Sequence, residues 1–197
     1  VISGCTIISS LLSDKLTRKF GTRYVTVASV FLTVIALFGF SFSNSFWMLL
    51  AFAVPYGLGA GAIDAALNNY IALHYKAKHM SWLHSFWGVG TIISPFIMGH
   101  ALKSGTWNSS YRTVGFIQLA IALLLWNVNK EENSESGKSV GLIGALKIKG
   151  VPFLLTGFFA YCAAEATAMH WASTYFAEVK GIPAERAASF AALFYIG

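Results

Sequence analysis

The chain has 197 residues, of which 56% are hydrophobic, 15% aromatic and only 11% charged, with a mean hydropathy of +0.61. Water-soluble domains carry about 25% charged residues, so this composition excludes a surface built wholly for water and points to an integral membrane protein. The net charge of +6 does not indicate a nucleic-acid partner, because the basic residues fall in short clusters between apolar spans, where membrane topology places them.

A helix needs about 20 apolar residues to cross roughly 30 Å of hydrocarbon, and that length divides the chain. Residues 1–12 form an apolar fragment shorter than a span, followed by a basic loop at 13–23. Residues 24–42 are predicted to span, and Ser43, Asn44 and Ser45 to turn. Phe46–His74 reads as a longer helix containing Pro55 and a glycine cluster. A short basic loop at 76–79 leads to a span at 81–102, a polar stretch at 103–110 and a further span at 111–128. The extended hydrophilic stretch 129–150 reads as a linker by composition. Residues 152–176 then span, 178–186 form a loop, and a last apolar fragment begins at Ala187. The expected architecture is therefore all-α, a polytopic transmembrane helix bundle with five complete spans and two fragments. Loops this short make neighbouring helices antiparallel. The incomplete first and last spans suggest an internal piece of a longer protein.

Alternate loops carry very different numbers of basic residues. One set holds Lys15, Arg18, Lys19, Arg23, Lys76, Lys78, Lys130, Lys138, Lys147 and Lys149; the other holds only Lys103, Arg112, Lys180 and Arg186. This bias assigns the 13–23, 76–79 and 129–150 loops to the cytoplasm, and a bacterial cytoplasmic membrane is expected. Asn108-Ser109-Ser110 matches a glycosylation sequon on the opposite side, relevant only in a eukaryotic secretory pathway. Cys5 and Cys162 lie in apolar stretches without CxxC spacing, which supports neither a disulfide framework nor a metal site.

Of the eight acidic residues, only Asp64 and Glu165 sit well inside apolar spans. An Asp-like charge at a helix centre costs about 2.5–3.5 kcal/mol on insertion scales. Such groups usually face a partner or a water-filled path and often relay protons or ions. Asn68 lies one turn from Asp64 on the same face, and Asn69 adds a second amide; a carboxylate beside an amide can bind a hydroxylated solute or exchange a proton. A purely structural hydrogen bond is the alternative. Glu165 is surrounded by Ala163, Ala164, Ala166 and Ala168, which suits close packing or a cavity equally. His170 lies about 140° around the helix from Glu165, on another face. In "SWLHSFWGVG", Trp82 reads as an interface-belt residue, whereas His84 and Trp87 could line a cavity.

Gly57, Gly59 and Gly61 match a dinucleotide fingerprint only formally, since no strand or turn precedes them inside a membrane-length helix. Small residues there let a neighbouring backbone approach closely. Gly88, Gly90 and Pro95 are expected to mark a second closely packed, flexible helix, its proline tolerated where neighbours satisfy the freed carbonyl.

The loop "SSLLSDKLTRKFGTRYV" resembles the segment between helices 2 and 3 of the major facilitator superfamily, with Asp14 and Lys15 matching and Arg18, Lys19, Gly21 and Arg23 supplying the basic turn. Ser10 replaces the leading glycine of that motif. The resemblance implies a cytoplasmic gate in which Asp14 pairs with basic groups and helix ends. The run from Gly57 to Gly61 resembles the helix 4 motif, with Ala53 where an arginine is expected, which argues against a drug efflux pump. "GLGAGAIDAALNNY" and "LHSFWGVGTIISP" are most similar to the fucose permease group of sugar–proton symporters. That resemblance implies helices 2 to 6 over 1–128, a cytoplasmic linker over 129–150 and the start of the second half, helices 7 and 8, over 151–197. It also implies alternating access, a monosaccharide and protons as cargo, the bilayer as surroundings, no cofactor, and a monomer. Asp64, Asn68, Asn69, Glu165, His84 and Trp87 are the candidate cavity residues. Two rivals are a non-transporting sensor of the same fold and an intramembrane enzyme; for the enzyme, neither histidines nor cysteines show ligand or nucleophile–base spacing.

Overall fold

A computed structural model describes residues 1–103, 105–127 and 142–193. Its elements in chain order are α1 (Ile2–Phe20), α2 (Thr22–Phe42), α3 (Phe46–His74), α4 (Ala77–Lys103), α5 (Trp107–Asn127), the short α6 (Leu142–Leu146), α7 (Val151–Thr174), a π-helical turn (Tyr175–Val179) and α8 (Ala184–Leu193). Among the described residues there is no strand, and five helices are long and apolar enough to cross a membrane: α2, α3, α4, α5 and α7 with its π-turn. These are the five spans expected from the sequence. The expected linker at 129–150 falls largely outside the described residues, including Lys130 and Lys138.

The polar boundaries move. Residues 13–20, expected as loop, continue α1, and the chain breaks only at Gly21, whose φ of 85° and ψ of 150° suit glycine alone. Leu16, Arg18 and the lysines are good helix formers, so charge there marks emergence from hydrocarbon rather than the end of the helix. The same holds at 76–79, where α4 already begins at Ala77, and at 103–110, where α5 begins at Trp107.

One compact unit contains α1, α2, α3, α5 and α4 up to Phe86. Its core is built on α2, an apolar helix buried on several sides. Val30 and Val34 pack with Ala122 of α5. Leu37 and Phe40 pack with Ala53 of α3 and Tyr111 of α5. Val25 packs with Ala62 and Ala66 of α3. Edge-on ring contacts join Phe38 to Phe116 and Phe31 to Trp126, at 5.1 and 6.4 Å.

Helix α3 is held from two directions by its glycines. A Cβ on Gly57 would lie 2.5 Å from the Ile2 carbonyl oxygen of α1, and one on Gly61 would collide with the Thr6 carbonyl. A Cβ on Gly59 would instead lie 2.5 Å from the Ser29 carbonyl oxygen of α2. The close approach to α1 lets hydroxyls cross between helices. Thr6 donates to the Gly57 carbonyl at 3.3 Å, Ser10 to Gly61 at 3.1 Å, Ser13 to Ala62 at 3.1 Å, and Ser9 to Leu58. The order of these pairs shows that α1 and α3 run parallel.

The second unit contains α4 from Trp87 onward, α6, α7, the π-turn and α8. Gly150, at φ 94°, precedes α7, and Pro152 sits in its first turn, where the missing N–H costs nothing. The π-turn closes with the Lys180 amide donating to Tyr175 O at 3.3 Å, and Gly181, at φ 64°, turns the chain into α8. Phe176 and Phe190 meet at 5.9 Å. Gly99 provides this unit's tight contact: a Cβ there would stand 2.8 Å from Glu185 O. The close packing expected at Gly88 and Gly90 is not found among the described residues, where a Cβ on either meets open space. Pro95 lies within unbroken α4.

Candidate functional site

Asp64 sits ten residues before the end of α3, about 15 Å along the axis at 1.5 Å per residue. At 100° per residue, Asp64 and Asn68 share the stripe occupied by Gly57 and Gly61, on the side of α3 that meets α1. The stripe continues beyond the closest α1 contacts to an exposed Asp64 and a half-buried Asn68. Asn68 donates from Nδ2 to Asp64 Oδ1 at 3.0 Å. Hence one carboxylate oxygen is held by an amide of the next turn, while the amide keeps its own oxygen as an acceptor. Asn69 does not join this pair. It falls about 100° around the helix from Asn68 and is exposed on a different face.

Glu165 is half-buried on α7, one turn after Tyr161. The Tyr161 hydroxyl thus stands four positions from Glu165, the spacing that separates Asn68 from Asp64. Tyr161 was not among the sequence candidates, although its spacing from Glu165 offered the clue. His170 sits with Nδ1 2.7 Å from the Ala166 carbonyl oxygen; a carbonyl only accepts, so Nδ1 carries the proton, and the ring is tied to its own helix. His84 and Trp87 are both exposed on α4.

At the C-terminal end of α1, Arg18 grips Asp14 with two nitrogens, Nη2 at 2.9 Å from Oδ2 and Nε at 3.1 Å from Oδ1. Exposed pairs of this i,i+4 kind contribute about 0.3–0.5 kcal/mol, so the bridge is a weak, reversible latch. Lys15 and Lys19 are exposed, with Lys19 Nζ 5.2 Å from the centre of the Phe20 ring. Arg23 departs from the group: its Nη2 donates to the Trp126 carbonyl at 2.5 Å, fastening the start of α2 to the end of α5. Ser13, fully buried, links this end of α1 to α3 through Ala62, two residues before Asp64.

The sequence reading missed two further polar features. Thr6, Ser9, Ser10 and Ser13 follow the i, i+3, i+4, i+7 pattern of one helical face, and that spacing could have revealed the hydroxyl ladder. Ser10, in place of the motif's leading glycine, still permits close packing because Gly61 provides the room opposite. Within α5, Gln118 donates to Thr33 of α2 at 2.8 Å. Asn108, the sequon residue, donates to the Ser41 carbonyl at 3.0 Å, beside Arg112 on the Ser41 hydroxyl at 3.2 Å.

Carboxylates inside membrane-length helices usually face a partner or a water-filled path, and the five membrane-length helices define the class as a polytopic helical membrane protein. The chain belongs to the Major Facilitator Superfamily, whose family model matches residues 1–197. Its curated relatives include the multidrug efflux pump SdrM of Staphylococcus aureus, 29% identical over 140 residues covering 68% of this chain and 31% of the relative. Bypass of stop codon protein 6 of Saccharomyces cerevisiae is 22% identical over 222 aligned positions, covering 97% of this chain and 45% of the relative. The niacin transporter NiaP of Acinetobacter baylyi is 22% identical over 125 residues, 61% of this chain and 28% of the relative. The chain therefore spans less than half the length of these relatives. The family is one of transporters rather than enzymes.

Proposed function

We propose that the chain is part of a secondary transporter that works by alternating access and carries a small hydroxylated solute, such as a monosaccharide, together with protons. The observation that carries this reading is the Asp64–Asn68 pair, bonded at 3.0 Å inside an otherwise apolar helix. An ionised carboxylate accepts hydroxyl hydrogens, and the neighbouring amide can both donate and accept, which suits a polyol edge. Protonation of Asp64 removes one charge from the path while leaving a carboxyl that still donates to and accepts from hydroxyls, so the solute and the proton occupy the site together. Glu165, four positions after Tyr161 on α7, supplies a second station. The Asp14–Arg18 latch serves the inner gate, with the 13–23, 76–79 and 129–150 segments cytoplasmic. In this reading residues 1–128 belong to the first six-helix half, 129–150 to the linker and 151–197 to the second half, in a monomer.

A second reading, proton-coupled export of another small organic solute, is favoured by the likeness to SdrM. Both readings are tested on the purified full-length transporter in proteoliposomes, with a panel of labelled sugars and organic acids. Wild type should accumulate one solute under an imposed pH gradient, in a direction that separates import from export. Asp64→Asn should lower that accumulation at least about tenfold, equivalent to ~1.4 kcal/mol, while leaving solute counterflow measurable. Accumulation by Asp64→Asn that equals wild type at every pH tested would refute the proton role.

A further inference from the structure

The connection between α3 and α4 carries a feature that the transport reading does not use. Between His74 and His79 the chain places two histidines and two lysines, Lys76 and Lys78, within six residues. No acidic residue occurs in the sequence from Ala65 to Lys130. Among the described residues, neither lysine has a carboxylate partner. The contrast with α1 is direct, because there Asp14 neutralises Arg18.

The same hairpin is braced by a continuous run of rings. Tyr70 stacks on His74 at 4.4 Å and meets Tyr75 at 6.0 Å; Tyr75 meets His79 at 5.3 Å, and His79 meets Trp82 at 5.2 Å. Lys78 Nζ stands 5.8 Å from the centre of the Trp82 ring, and His79 Nδ1 is 3.2 Å from the Lys76 carbonyl oxygen. Tyr75, Lys76, Lys78 and Trp82 are exposed. Ring contacts on both sides of the break limit the freedom of the two lysines before any partner arrives, which lowers the ordering cost of binding. The rings themselves suit the headgroup level of a bilayer, where amphipathic aromatics settle.

We propose that this hairpin is a binding site for an anionic phospholipid headgroup, with Lys76 and Lys78 holding the phosphate and Tyr75 and Trp82 seated among the adjoining glycerol and acyl carbons. Charge complementarity chooses the occupant: two ammonium groups with no carboxylate partner among the described residues, at the mouth of two membrane-length helices, face a surface whose anions are lipid phosphates. The site lies in a segment assigned to the cytoplasmic side, but its chemistry requires only that an anionic leaflet adjoin it.

The test uses the purified full-length transporter in nanodiscs made from equal parts phosphatidylglycerol and phosphatidylcholine, with retained lipids counted by native mass spectrometry. Wild type should retain phosphatidylglycerol in preference to phosphatidylcholine. Lys76→Gln with Lys78→Gln should reduce that preference about thirtyfold, from a factor of roughly five per lysine near a charged surface, equivalent to about 1 kcal/mol each. Lys76→Arg with Lys78→Arg should preserve it, and Lys103→Gln should leave it unchanged. Raising the salt from 0.05 to 0.5 M should weaken it, since the screening length falls well below about 10 Å. An unchanged preference in the double glutamine variant would overturn the site, as would an equal loss in Lys103→Gln. Displacement of the bound lipid by millimolar inorganic phosphate would show a site for soluble anions and would also overturn it. Lipid retention is read without transport, so a failure here is separable from a failure of Asp64→Asn in flux.

Discussion

Alanine at Gly61 tests whether the glycine stripe and the hydroxyl ladder are the means by which α1 holds α3. The new methyl collides with the Thr6 backbone carbonyl, which cannot rotate away as a side chain can, so α1 must shift. Such overpacking costs about 1–3 kcal/mol. A shifted α1 also loses the four hydroxyl–carbonyl bonds from Thr6, Ser9, Ser10 and Ser13. At about 0.6 kcal/mol for each interhelical bond in a membrane protein, this adds roughly 2.4 kcal/mol. Replacing glycine by alanine in a helix returns about 1 kcal/mol. The net destabilisation expected is therefore about 2–4 kcal/mol. Equilibrium unfolding of the full-length protein in detergent measures it. Gly115→Ala is the internal control, because a Cβ there meets the Phe38 ring at an ordinary 3.4 Å. It should be neutral or up to about 1 kcal/mol more stable than wild type. If Gly61→Ala proves as stable as Gly115→Ala, the close α1–α3 contact does not carry the stability assigned to it.

Two further outcomes follow from the same geometry. Asp14→Asn breaks a solvent-exposed pair and should change unfolding free energy by less than about 0.5 kcal/mol, while slowing solute counterflow; equal counterflow in mutant and wild type would remove Asp14 from the gate. A double-mutant cycle between Gln118→Ala and Thr33→Ala should give a coupling of about 0.6 kcal/mol and no more than about 1.7 kcal/mol, and a value indistinguishable from zero would show that the 2.8 Å bond contributes nothing net.

The five spans could be read from the sequence because hydrocarbon requires an unbroken apolar length, and little else in the chain has it. Helix ends were less legible. Polarity reports where a side chain meets water, whereas a helix stops where its backbone must, so α1 ran on through Asp14, Lys15 and Arg18 to the one residue able to adopt a positive φ. The four-residue spacing places Asp64 and Asn68 on one face in the sequence alone, and the structure joins them by a hydrogen bond. Tyr161 and Glu165 have the same spacing, but the tyrosine is hard to single out among aromatic residues common in membrane helices. The Gln118–Thr33 bond joins positions 85 residues apart, and no local pattern predicts it. Glycines divided in the same way: Gly57, Gly59 and Gly61 recur in one helix that lies between two others, whereas Gly88 and Gly90 face open space among the described residues.

Gly21 alone separates α1 from α2. Nineteen residues at 1.5 Å each make α1 an arm about 28 Å long. A 10° rotation about this pivot would swing the remote tip by about 5 Å, enough to break the contacts of Ile2 and Thr6 with Gly57 and Gly61. With no second linking residue to absorb the turn, a bulkier side chain at the pivot would stiffen the whole lever.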